Sequence, residues 1–168
     1  TSTMKKELGD LNFNNLIEWT RGVDKETFKP TYDKKIRGLM NPENKEKVIL
    51  YVGRISKEKN LINLCKLSKK NHHHQFVLVG DGQLKKKLSN QFPKIIFPGY
   101  KFGNELAKYY SSADCSVFPS KNDTFGNTIL ESISCGTAVA GYPVNGPVDI
   151  IKNDISGYTH EDLSIAIK

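Results

Sequence analysis

A rhythm of short apolar runs and helix-periodic segments limits this chain more than any other feature of its sequence. Glu46 to Gly53 (EKVILYVG) is a continuous apolar run closed by glycine, the composition of a strand buried on both faces. Phe76 to Gly80 (FVLVG), Ile95 to Pro98, Cys115 to Phe118 and Thr137 to Ala140 repeat the pattern. Between them, helical spacing runs through Leu61, Leu64, Cys65 and Ser68, through Leu84 and Leu88, through Asn104 to Ser111, and through Gly126 to Cys135. The inward stripe of that last helix reads as Ile129, Leu130 and Ile133. Strands alternating with helices predict an α/β fold, a doubly wound parallel sheet with helices on both faces. Ahead of it, Met4 to Leu8 reads as the tail of a helix, Asn15 to Arg21 as a strand and Lys34 to Met40 as a short helix.

Composition excludes the other broad classes. The 168 residues make one ordinary domain, and 38% hydrophobic with 26% charged residues fits neither a disordered nor a membrane-embedded chain. No apolar run reaches the ~20 residues of a membrane-spanning helix. The first residues lack the apolar core of a signal peptide, and the chain opens on Thr1, which suits a start internal to a longer protein. A net charge of +7 suits an anionic ligand, a membrane surface or nucleic acid, although the lysines are scattered in the manner of a solvated surface. Cys65, Cys115 and Cys135 read as reduced, mostly buried thiols of a cytoplasmic protein. Asn71-His72-His73-His74 reads as a solvated turn. Its adjacent histidines are expected to point apart and to make a poor metal site.

Doubly wound sheets bind ligands beyond the carboxyl ends of their strands. Gly53 ends a buried strand, where a small residue lets a ligand approach the backbone. Arg54 follows, and Lys59 stands near the next helix, so a planar fork of donors and a point charge can meet on one diphosphate. Two surface cations in a Lys-rich chain are the plain alternative. Gly126 opens a helix whose free amides and dipole favour phosphate, with Asp123 or Thr124 as ordinary caps. Glu131 falls between Leu130 and Ile133, so its carboxylate needs partners: two ribose hydroxyls, or a structural hydrogen bond to a neighbouring strand. Gly80-Asp81-Gly82 is a tight βα turn with Asp81 as a cap. The dinucleotide pattern fails there because Lys85 stands where the third glycine belongs.

These pieces come in the order of one family. Tyr51-Val52-Gly53-Arg54-Ile55-Ser56-Lys57-Glu58-Lys59-Asn60, Leu78 to Gly82, Phe97-Pro98-Gly99-Tyr100, Ala113 to Ser120 and Asp123 to Gly136 are the motifs in question. Together they resemble the nucleotide-binding C-terminal domain of GT-B glycosyltransferases, the retaining family 4 group. Upstream, Trp19 to Asp24 and Phe28-Lys29-Pro30 resemble the segment entering that domain. The resemblance implies a Rossmann-like sheet, the C-terminal half of a GT-B fold, with residues 1–14 as the tail of a preceding acceptor domain. Residues 15–168 then form the donor domain, truncated at its C-terminal end. It implies a catalytic set of Arg54, Lys59, Asp123 and Glu131, the basic pair on the diphosphate and Glu131 on the ribose. Asp123 replaces the usual Glu that contacts the donor sugar. Gly53, Phe125, Gly126, Asn127 and Thr128 are implied on the donor. Phe97, Pro98 and Tyr100 are implied as a wall against the nucleobase, and Asn145-Gly146-Pro147 with Asp149 as a later glycine-rich loop.

The expected reaction is transfer of a sugar, with retention, from a UDP- or GDP-sugar to an acceptor hydroxyl of a lipid or glycan. It needs no cofactor and no metal ligand, because fixed cations and a helix terminus stabilise the leaving diphosphate. The expected partners are the donor and an N-terminal acceptor domain missing from this chain. The stretch Trp19 to Asp24 resembles lipid-glycosylating members, which implies peripheral membrane contact. The isolated chain is expected to bind donor without turnover. A non-catalytic nucleotide-sugar-binding module of the same fold is the alternative. A nucleic-acid-binding domain is disfavoured, since basic and aromatic residues do not interleave.

Overall fold

The computed structural model describes residues 1–19, 22–121 and 126–167. In chain order the elements are α1 (Ser2–Asp10), α2 (Lys34–Met40), β1 (Val48–Val52), α3 (Leu61–Lys70), β2 (Gln75–Val79), α4 (Lys85–Gln91), β3 (Ile96–Gly99) and α5 (Gly103–Ser111). There follow β4 (Cys115–Phe118), α6 (Asn127–Ser134), β5 (Val139–Gly141), α7 (Pro147–Ile150), β6 (Gly157–Thr159) and α8 (Leu163–Ala166). The strands form one sheet in the order β3-β2-β1-β4-β5-β6, and every neighbouring pair is parallel. This is the doubly wound, Rossmann-like architecture expected of the alternating runs. The strand order reverses between β1 and β4, the place where such sheets leave a crevice.

Period-two alternation explains why the central strands are apolar throughout. In β1, Ile49 and Tyr51 enter one core cluster and Val48 and Leu50 the other. In β2, Phe76 and Leu78 face the first and Val77 and Val79 the second. Helices α3, α4 and α8 cover the first face with Leu61, Leu64, Cys65, Leu88 and Leu163, while α2 and α5 cover the other with Met40, Leu106 and Tyr110. Each such side chain contributes roughly 1.5–3 kcal/mol by leaving water.

Two sequence expectations change. Asn15 to Arg21 is no strand over its described part, residues 15–19. The sheet already has its six strands, and Ile17 and Trp19 are exposed. Thr20 and Arg21 lie outside the described residues. On α6 the buried residues are Ile129 and Ser132, with Leu130 and Ile133 only half-buried. Ser132 replaces Leu130 inside because its hydroxyl donates to the Thr137 carbonyl, 2.9 Å away. Strand β6 and helices α7 and α8 are too short to leave a periodic signal.

The three cysteines are free thiols, as expected, and burial pushes the pKa of Cys65 up to about 12 and those of Cys115 and Cys135 up to about 11. Among the described residues, no helix is long and apolar enough to cross a membrane.

Candidate functional site

The loop after β1 is shaped from beneath by its own strand. The buried Tyr51 hydroxyl donates to the Arg54 carbonyl at 2.9 Å, which turns the chain outward at Gly53. Ile55 then plugs the core, and Lys57–Lys59 forms a single 3-10 turn ending at Asn60 in the left-handed region. The Asn60 amide donates to the Pro119 carbonyl at 3.1 Å, so the loop after β1 is tied across the switch point to the loop after β4.

Gly80-Asp81-Gly82 supports this loop and is not a phosphate cradle. Gly80 has φ +137, and a Cβ there would stand 1.9 Å from the Gly53 carbonyl oxygen. The Ile55 amide donates to the Asp81 carbonyl at 2.8 Å, and the Leu84 amide to Ile55 at 3.0 Å. Asp81 closes its own turn by accepting from the Gly82 amide and the Lys85 ammonium, and the cap position of α4 belongs to Leu84. The two turns therefore pack backbone to backbone, which only residues without Cβ permit.

Between these loops lies a cleft of about 340 Å³ lined by Tyr51, Val52, Gly53, Arg54, Lys59, Phe118, Pro119, Ser120, Gly126, Asn127 and Thr128. Six residues expected from sequence thus converge: Gly53, Arg54, Lys59, Gly126, Asn127 and Thr128. Gly126 sits at φ +61 as the cap of α6, and a Cβ would meet Ile129 Cδ1 at 2.8 Å. It brings no side chain to cap the helix, so the first amides of α6 present a positive dipole end to the cleft. Arg54 lies 3.9 Å from Glu58, with 75% and 53% of the two side chains exposed. A pair that open holds Arg54 only weakly. The Ser56 hydroxyl, rather than Arg54, is the main group that holds the Glu58 carboxyl below its usual range.

Glu131 stands on α6 outside the cleft lining. Its Oε2 accepts from the Tyr110 hydroxyl of α5 at 2.9 Å, so one carboxylate oxygen has a protein partner on a neighbouring helix, not a strand. Burial raises the Glu131 pKa, and the Tyr110 hydroxyl partly offsets it. Burial, then the Glu131 charge, raises Tyr110 well above its ordinary value, which keeps that hydroxyl protonated and a donor. Tyr110 also lines a void of about 10 Å³ with Val52, Phe118 and Thr128, residues shared with the cleft wall. Sequence reasoning missed Tyr110. Tyr109 and Tyr110 are adjacent and both buried, so spacing did not say which one reaches α6.

Phe97, Pro98 and Tyr100 do not line this cleft. Phe97 and Pro98 lie on the edge strand β3, with β2 between them and β1, and Tyr100 is exposed beside Phe102. Asp123, Thr124 and Phe125 lie outside the described residues. Asp149, on α7, accepts from the Thr3 hydroxyl at 2.7 Å, and Asn145 donates to Glu7 at 2.9 Å, so α1 rests on this glycine-containing loop.

The family described as glycosyl transferases group 1 matches residues 33–165. A GDP-mannose-dependent alpha-mannosyltransferase of Corynebacterium glutamicum is 36% identical over 152 residues, 90% of this chain and 37% of that protein. A sulfoquinovosyl transferase of Arabidopsis thaliana is 36% identical over 151 residues, 87% of this chain and 29% of that protein. Among solved structures, the C-terminal domain of a glycosyl transferase group 1 family protein from Francisella tularensis superposes with a TM-score of 0.68 at 26% identity. That match covers 83% of this chain and 80% of that domain. The chain thus spans about a third of the length of these two curated relatives.

Proposed function

This chain belongs to the glycosyl transferases group 1 family, and from that premise we propose that it is the donor-binding half of a retaining glycosyltransferase. The observation that carries the reading is the convergence of Arg54, Lys59 and the α6 amino terminus on one cleft at the β1–β4 switch point. The donor is a UDP- or GDP-sugar and the acceptor a hydroxyl of a lipid or glycan. The name of the GDP-mannose-dependent mannosyltransferase favours a sugar-nucleotide donor.

The chemistry follows from charge. As the bond from sugar to diphosphate lengthens, negative charge builds on the phosphate oxygens. The α6 amides are held by the helix at the cleft, and Arg54 and Lys59 line it close by, so charge of the right sign already surrounds the place where the negative charge develops. Arg54 exchanges its exposed contact with Glu58 for the diphosphate. Glu131 accepts from the ribose through Oε1, while Tyr110 holds Oε2. Tyr110 is thus a positioning residue, and the ribose meets one free carboxylate oxygen instead of the two the sequence suggested. Asp123, the counterpart of the family acid on the donor sugar, and Phe125 complete the site in this reading, with Phe97, Pro98 and Tyr100 toward the base. No step in this scheme is assigned to a metal. The domain alone binds donor without transfer, since the acceptor must come from a second domain. Contact with a membrane surface belongs to the same reading.

Thermal shift with UDP, GDP, ADP and their sugars tests it. One nucleoside diphosphate should raise the melting temperature well above its parent nucleoside, and Arg54→Ala and Lys59→Ala should each remove that difference. Equal stabilisation by nucleoside and diphosphate would overturn the assignment.

A further inference from the structure

The turn before β2 does not behave as its sequence suggests. Adjacent side chains diverge in a strand, but residues 71–74 form a turn closed by the His74 amide on the Asn71 carbonyl at 3.1 Å. There the His73 and His74 rings meet edge to face, with centroids 4.0 Å apart. The Glu46 amide donates to the His73 carbonyl at 3.1 Å, which anchors the entry of β1 against the same turn. One ligand atom from each of Glu46, His73 and His74 consequently lies within 4.8 Å of the other two.

A second observation points into this cluster. The His74 side chain is 10% exposed, and its buried Nδ1 has no hydrogen-bond partner among the described residues. The nearest acceptor, Glu46 Oε2, is 3.9 Å away, too far to satisfy it. A buried ring nitrogen without a partner is costly, and a metal ion is one group that satisfies both it and the carboxylate.

We infer that Glu46, His73 and His74 form a surface site for a divalent transition-metal ion, Zn²⁺ in the first instance, at the amino ends of β1 and β2. Two imidazoles and one carboxylate make a donor set that suits Zn²⁺ and leaves a coordination position for water. Tetrahedral bonding requires the donor atoms to close to about 3.4 Å. His73 and Glu46 are exposed and can rotate inward, while the turn holds His74 in place. The site is remote from the switch-point cleft, which opens at the other ends of the strands.

Titration of the whole 168-residue chain with Zn²⁺, by calorimetry and by visible absorption of the Co²⁺ form, tests the inference. One ion per chain should bind in the micromolar range and raise the melting temperature. His73→Ala and Glu46→Gln alter exposed side chains and should leave the fold intact. Each should weaken binding by about tenfold or more. His72→Ala, in the same turn but outside the cluster, should change nothing. No saturable binding, unchanged affinity in the His73 and Glu46 variants, or a dependence on His72 would overturn it.

Discussion

Two hollows of equal size, about 340 Å³ each, open at opposite ends of the sheet. The one at the amino ends is lined by Lys45, Lys69, His74, Phe76, Phe92 and Ile95, among others. Two of its cations have partners: Lys45 pairs with Glu43 at 3.3 Å, and Lys69 lies 4.8 Å over the Phe92 ring. The one at the carboxyl ends has Arg54 in a weak exposed pair, Lys59 beside it, and the amino terminus of α6 opposite. Size and basic charge are common to both. What separates them is backbone: at the carboxyl end two glycine turns bring main chains together and Gly126 leaves helix amides facing the cleft. In the proposed reading, a diphosphate there meets cations and helix amides at once.

The strongest way to break this contrast is Gly80→Ala. A Cβ 1.9 Å from the Gly53 carbonyl, at φ +137, must force the two loops apart. The expected loss is ~3–5 kcal/mol of stability in urea unfolding, with the diphosphate site lost as well. A near-neutral result would mean that the two turns do not depend on each other.

Arg54→Ala and Lys59→Ala are the next test. Each should weaken nucleoside diphosphate binding by ~1.5–3 kcal/mol while leaving nucleoside binding almost unchanged, read by calorimetry. Lys94→Ala, on the wall of the opposite hollow, should change nucleotide affinity by no more than about 0.5 kcal/mol.

Glu131→Gln should cost ~1–3 kcal/mol of ribonucleotide affinity, because a neutral amide oxygen accepts more weakly than a carboxylate, and should weaken discrimination against 2′- or 3′-deoxy nucleotides. Its effect on stability has the opposite sign. Burial raises the Glu131 pKa above its ordinary 4.5, so the wild type is favoured while the carboxyl is protonated and loses that stability as pH rises through the raised pKa. The variant has no such group to ionise. Its melting temperature should gain on the wild type between acid and neutral pH, and a constant difference across that range would contradict the burial argument.

Tyr110→Phe should have the smallest effect on binding, ~0.5–1.5 kcal/mol, because it removes the hydroxyl that holds Glu131 and no ligand contact. The same change removes the hydrogen bond that opposes burial, so the Glu131 pKa should rise further. The pH below which ribonucleotide binding weakens should therefore move up relative to the wild type. A purely structural tyrosine would lower the melting temperature and leave that profile in place.

Much of this was legible in the chain itself. The apolar runs over Val48–Val52 and over residues 76–79 required strands buried on both faces, because neither carries a charged or amide side chain that calls for water. That Gly53, Arg54, Lys59 and Gly126 to Thr128 belong together was legible only through the family resemblance, since spacing alone left two surface cations and an ordinary helix cap as alternatives; the fold brings the six to one cleft. The sequence did not determine which partner Glu131 meets. The Tyr110 contact spans 21 residues and depends on how α5 packs against α6. Nor did it show that His73 and His74 would face Glu46, since local spacing describes directions along one element, and a turn against a neighbouring strand resets them. Burial patterns are written along the chain, whereas side-chain partners across elements exist only once the sheet has brought those elements together.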